Sequence, residues 1–129
     1  MTTQELIDAA YSVARVYKPS EICESGSVGA AILTQDGNIY TGVCIDTACS
    51  LGFCAEHAAI AEMLKHRESR VIMVVAVTDK KEIIPPCGRC RELLAQVNED
   101  NMKARVVINQ HETVTLRDLL PHYWIDALK

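Results

Sequence analysis

The sequence has no apolar run approaching the ~18 residues that cross a bilayer, no block of basic residues, no internal repeat and no low-complexity tract or linker. The first absence argues against a membrane partner. The second argues against long DNA or RNA, because phosphate contacts from Lys and Arg dominate such binding. Net charge is −4, from 13 basic against 17 acidic residues. The remaining absences leave a single domain over residues 1–129, long enough to bury a core without disulfide staples. The opening does not read as a basic-then-apolar leader either. The opening "MTTQELIDAAYSVARVY" alternates charged and apolar residues at helical spacing, so a cytoplasmic location is expected. The expected partner is a small molecule.

Cysteine is what the chain does have. Six in a short sequence suggest a disulfide framework only in a secreted protein; in a reducing compartment clustered thiols read as metal ligands or catalysts. Cys54, Cys87 and Cys90 are clustered by their flanking motifs. Cys23, Cys44 and Cys49 are scattered, and are expected to be small buried hydrophobes.

An amphipathic helix is expected from about Thr3 to Tyr17, with Leu6, Ala10, Val13 and Tyr17 on one stripe and Lys18-Pro19-Ser20 ending it. "SVGAAILT" and "NIYTGVCI", separated by Gln35-Asp36-Gly37, read as a β-hairpin. A helix from Cys54 to His66 follows. Val71 to Thr78 is a continuous β-branched run, the mark of a strand covered on both faces. A second helix begins near Cys87, with Cys90, Leu93, Leu94 and Val97 at helical spacing. "ARVVIN" and Thr113-Val114 supply further strands, and "TLRD" resembles a capping box opening a last short helix. Strands alternating with helices imply parallel pairing and helices on both faces of the sheet. The expected fold is α/β: a three-layer α/β/α sandwich on a five-stranded mixed sheet.

The C-x₂-C pair in "PPCGRC" lets Cys87 and Cys90 aim at one Zn²⁺. Cys54, opening the other helix, is a third ligand if the two helix N-termini converge at the carboxyl ends of strands. Both N-termini carry partial positive charge that favours thiolates, and Arg89 adds a fixed cation. Three ligands leave a fourth position open for water, as in catalytic zinc sites. Glu56, two residues from Cys54, is then placed to move that water's proton.

"CAEHAAIAE" followed by "PPCGRCREL" resembles the cytidine deaminase superfamily, whose signature is (H/C)-x-E…P-C-x-x-C. The resemblance covers roughly residues 27 to 124 and is closest to the small cytidine and blasticidin-S deaminases. It implies a cytidine deaminase-like fold, one Zn²⁺ per chain, and hydrolytic deamination of the cytosine ring of a free nucleoside or analogue. Water activated at zinc attacks C4 while Glu56 protonates N3 and then the departing ammonia. The Ala55 backbone and the Pro85 carbonyl would orient the ring. A homotetramer or homodimer is implied too.

The chain departs from the family at named positions. Gly26 stands where cytidine deaminases show Phe, and Cys44-Ile45-Asp46 where they show the ribose-holding N-x-E. Cys44 lacks an amide's paired hydrogen bonds; Asp46 retains part of the role. His57 replaces an arginine that neutralises the thiolates, and Arg89, in a slot commonly Ala, substitutes for that charge. "CGRCR" is the blasticidin-S deaminase pattern. Arg91 reads as a surface or interface residue. Two other readings stand beside this one: a closed Cys₃His structural site using His57, and a thioredoxin-type dithiol at "CGRC".

Overall fold

The computed structural model describes residues 2–129. The first helix, α1 (Thr3–Val13), is capped by the Thr2 side chain, which accepts from the Glu5 backbone. It buries Leu6, Ile7 and Ala10. It ends four residues earlier than its apolar stripe suggests. Tyr17 is exposed and starts a short strand, β1 (Tyr17–Ser20), paired with the next strand. The expected helical position of Tyr17 is thus corrected: pairing with Ser25 takes over where the helix has no further face to bury.

The hairpin is present as β2 (Cys23–Thr34) and β3 (Ile39–Thr47), with the Gly37 N–H donating to the Thr34 carbonyl. Then come α2 (Ala55–Lys65), β4 (Val71–Thr78), β5 (Ile83–Ile84), α3 (Gly88–Val97), β6 (Arg105–Val107) and β7 (Thr113–Thr115). Among the described residues the sheet has seven strands, in the order β1-β2-β4-β6-β7 with β3 also on β2 and β5 also on β4. Five of these are the expected strands; β1 and β5 are the additions. Only β4 and β6 pair in parallel, so the sheet is mixed. "TLRD" forms the reciprocal cap expected of it: Thr115 and Asp118 exchange backbone-to-side-chain bonds of 3.0 and 3.2 Å at a 3₁₀ turn, Arg117–Leu119.

Strand alternation divides the core into two layers. Ala31, Met73, Val75, Val77 and Val107 pack on α1. Ile32, Val74 and Val106 face the opposite way, onto Ala59, Ile60 and Met63 of α2 and Leu94 of α3. This is the expected three-layer sandwich. Fully burying a side chain such as Leu94 or Ile60 contributes about 1.5–3 kcal/mol, and both are almost completely buried. Asn101 fastens the layers without an orphaned group. It accepts from the Val71 N–H at 2.7 Å and donates to the Ser69 and Leu94 carbonyls at 3.0 and 2.9 Å.

One close approach positions the site. At Gly42 of β3, an added Cβ would lie 2.4 Å from the Ala59 nitrogen and 2.6 Å from the Ala55 carbonyl oxygen. The missing side chain lets the first turn of α2 rest directly on the sheet.

Candidate active site

Cys54 and Cys87 are the N-cap residues of α2 and α3, both with extended backbone and neither bonding its own helix with its side chain. Their sulfurs are left free at the two positive helix ends. The helices converge: Sγ of Cys54 lies 3.4 Å from Sγ of Cys87, which lies 3.6 Å from Sγ of Cys90. Sulfurs 2.3 Å from a tetrahedral zinc are about 3.8 Å apart, so the donor set fits one Zn²⁺. The His57 imidazole joins the cluster, with Nδ1 3.5 Å from Cys90 Sγ. The ligand atoms of Cys54, His57 and Cys90 all lie within 4.8 Å of one another.

Burial grades across the cluster. Cys90 is fully buried, Cys54 intermediate and Cys87 exposed. Burial pushes the Cys54 and Cys90 thiols above their ordinary range. Desolvation acts the same way on Cys87, yet the Cys90 and Arg89 backbones and the neighbouring thiols together hold it below that range. The most acidic thiol is therefore the one nearest solvent. Glu56 is only 4% exposed; desolvation raises its carboxyl, opposed by its own backbone N–H and by Cys90. Burial, then the Arg89 charge, keeps the His57 ring neutral to lower pH than usual.

A cavity of about 440 Å³ opens over this cluster, lined at one end by Cys54, Ala55, Glu56, Pro85, Cys87 and Arg89. At the other end lie Ser27, Val28, Cys44, Asp46 and Thr47. The structure thus brings Cys44, Asp46, Cys54, Ala55, Glu56, Pro85, Cys87 and Arg89 to one cavity wall, with Cys90 and His57 in the same thiol cluster but off that wall. Cys44 is buried, as expected, and its sulfur is engaged at 3.3 Å by both the Ser27 hydroxyl and the Val28 N–H. Asp46 is exposed, 4.0 Å from that sulfur. Among the described residues the one buried side-chain polar atom without a partner, Thr47 Oγ1, belongs to this same wall. Two expectations about the other thiols are corrected: Cys23 is half-buried and Cys49 exposed, because Cys23 lies at the hairpin's open end and Cys49 in the 3₁₀ turn before α2.

Gly26 also has a structural reason. Its φ is +85°, and a Cβ there would fall 1.9 Å from the Arg15 carbonyl oxygen. No phenylalanine fits at this position without moving backbone. An aromatic ring lines the cavity from elsewhere: Phe53, whose backbone exchanges two 3.0 Å bonds with Ile45 and whose ring stacks on His57 at 6.3 Å.

Several contacts escaped the sequence reading. The Phe53–His57 stack and the Ser27–Cys44 contact have no signal in spacing. Arg91, read as a surface residue, is half-buried, with Nε donating to the Pro86 carbonyl at 2.8 Å and Nη1 to the Leu119 carbonyl at 3.3 Å. The Pro-Pro pair beside it was an available clue, since prolines carry no N–H to organise their own loop.

Residues 1–107 match the family described as the cytidine and deoxycytidylate deaminase zinc-binding region. The chain is 32% identical over 97 residues to a cytidine deaminase of Halalkalibacterium halodurans, covering 73% of this chain and 74% of that one. It is 29% identical over 103 residues to a blasticidin-S deaminase of Bacillus cereus, covering 73% and 74%. Its fold superposes on a cytidine deaminase of Mycobacterium tuberculosis with a TM-score of 0.80 at 27% identity, covering 95% and 96%.

Proposed function

We propose that this chain, which belongs to the zinc-dependent cytidine and deoxycytidylate deaminase family, hydrolyses the exocyclic amine from a cytosine ring carried by a free nucleoside or nucleoside analogue. Water adds at C4, the C4–N bond breaks, and the products are the uracil compound and ammonia. One observation carries the reading: three sulfurs from two helix tips cluster, and two of them, on Cys54 and Cys87, line a cavity together with the buried carboxyl of Glu56.

Cys54, Cys87 and Cys90 hold the zinc. The bound ion supplies the Lewis acidity that makes water nucleophilic near neutral pH. Glu56 moves the protons: its carboxylate accepts one from the attacking water and delivers it to ring N3, then takes the remaining proton of the hydroxyl formed at C4 and passes it to the departing ammonia. Its buried setting suits a group that must hold a proton between transfers. The Ala55 backbone and the Pro85 carbonyl orient the ring from the cavity wall. Arg89 offsets the thiolate charge, and His57 stands with Nδ1 3.5 Å from the Cys90 sulfur.

Cys44 and Asp46 form the wall that meets the rest of the substrate. The Cys44 sulfur is already engaged by Ser27 and Val28, so it offers no pair of hydrogen bonds to a ribose. Asp46 offers acceptors only. This wall suits a modified or amine-bearing sugar better than a plain ribose. We infer a homotetramer or homodimer, as the family resemblance implies. No helix among the described residues is long and apolar enough to cross a membrane, and no cysteine is paired in a disulfide. We infer a cytoplasmic location from the thiol chemistry.

A second reading has one observation in its favour. The Cys54–His57–Cys90 grouping permits a closed Cys₃His site in which His57 takes the fourth position, giving a zinc-stabilised domain without turnover. Incubation with cytidine, deoxycytidine and blasticidin S, following loss of the cytosine absorbance, separates the two. Turnover of at least one supports the open site, and turnover of none supports the closed one.

A further inference from the structure

We propose that Arg91 is a positioning residue for the metal centre: its guanidinium holds the backbone that presents Cys87 and ties that backbone to the Arg117–Leu119 turn. The segment Ile84-Pro85-Pro86-Cys87 links β5 to α3. Its two prolines carry no N–H, so the segment cannot be held by a strand ladder. Pro86 is nevertheless buried, and its carbonyl needs a donor. Arg91 supplies it through Nε at 2.8 Å, from one helical turn beyond Cys87, while the Arg91 backbone N–H bonds the Cys87 carbonyl at 3.0 Å. Two consecutive carbonyls around the sulfur-bearing residue are thereby fixed by one amino acid.

The other arm of the fork reaches the Leu119 carbonyl at 3.3 Å, at the end of the Arg117–Leu119 turn. The adjacent Glu92 accepts from the Tyr123 hydroxyl at 2.8 Å and the Trp124 indole at 3.1 Å. Residues 91 and 92 therefore fasten the C-terminal segment over α3, but only the Arg91 arm also reaches the Cys87 loop. A guanidinium can serve two carbonyls in different directions at once, whereas a lysine is a single point donor. The assignment rests on Cys87 being a zinc ligand.

The test compares the full chain as wild type, R91K, R91A and Y123F. Zinc affinity is measured by competition with a chelator, and the thiolate-to-metal absorption is recorded after Co²⁺ substitution. R91K and R91A are expected to weaken zinc binding by about 10- to 100-fold, the range seen when the supports of a metal ligand are removed, and to alter the Co²⁺ absorption. Y123F cuts the neighbouring tie alone, and is expected to lower thermal stability while leaving affinity and absorption at wild-type values. R91K keeps the charge and most of the stem, so it decides the matter if R91A does not fold. Wild-type affinity in R91K, or equal weakening in Y123F, overturns the proposal. Wild-type protein that binds no zinc overturns the ligand assignment instead, so the two failures are distinguishable.

Discussion

The two ends of the cavity follow different rules. At the metal end, Cys54, Glu56, Cys87 and Cys90 stand at the spacings of the family signature, and two converging helix tips and a close-packed Gly42 bring them together. At the opposite end the family's pattern is replaced: Cys44 is a buried thiol locked to Ser27 and Val28, and next to Ser27 in the chain Gly26 has a conformation that admits no side chain. The chemistry is fixed by a metal's geometry, which tolerates little change. Recognition depends on a wall of ordinary polar contacts, which can be exchanged one residue at a time. The lesson is that membership in a deaminase family constrains the reaction far more tightly than the substrate.

The comparison can be broken first at the metal end. Cys87→Ala is expected to abolish zinc binding and activity and to lower thermal stability steeply, because metal-binding free energy is also folding free energy. Elemental analysis and a melting curve check this, and a variant retaining one zinc and full stability would contradict it. Glu56→Gln should keep the zinc and lose about 10²- to 10⁴-fold in turnover, the usual contribution of a proton-transfer group. Steady-state kinetics beside a zinc assay would show it, and near-normal turnover would end the role given to Glu56.

Gly42→Ala tests the platform beneath α2. Its new methyl meets backbone at 2.4–2.6 Å, and overpacking of this kind costs about 1–3 kcal/mol, readable as a lower denaturant midpoint. The opposite wall should respond more mildly and in another parameter. Cys44→Asn is expected to lower KM for cytidine relative to wild type while zinc content and kcat hold. A fall in kcat with unchanged KM would show that the two ends are not separable.

The smallest effect is a control far from both ends. Glu68 accepts from Thr34, Tyr40 and Asn38, and those bonds hold its carboxyl below the ordinary range. A lowered folded-state pKa means a contribution that is present above the unfolded pKa and lost as pH falls through the folded one. Glu68→Gln should therefore lose stability at neutral pH, with the gap to wild type narrowing on acidification. Melting curves at neutral and acid pH decide it, and a gap that widens on acidification would reverse the sign.

The parts legible in the sequence are those with a local physical signal. Asp36-Gly37 announces the hairpin, the apolar run from Val71 marks a doubly covered strand, and the C-x₂-C pair fixes the metal end. What escaped depends on partners distant in sequence. β1 and β5 are too short to carry a period of their own and exist because β2 and β4 offer edges. The end of α1 is set by the turn into β1, not by a Gly or Pro stop. Arg91 could be valued only once Leu119 and Pro86 were seen on either side of it.

The central claim is that three sulfurs hold one zinc with the fourth position open. X-ray absorption at the zinc edge of the protein as purified tests it most directly. The account predicts three sulfur neighbours near 2.3 Å and one light-atom neighbour near 2.0 Å, without the outer-shell scattering of an imidazole ring. Imidazole scattering, placing His57 on the metal, or fewer than three sulfurs would contradict it.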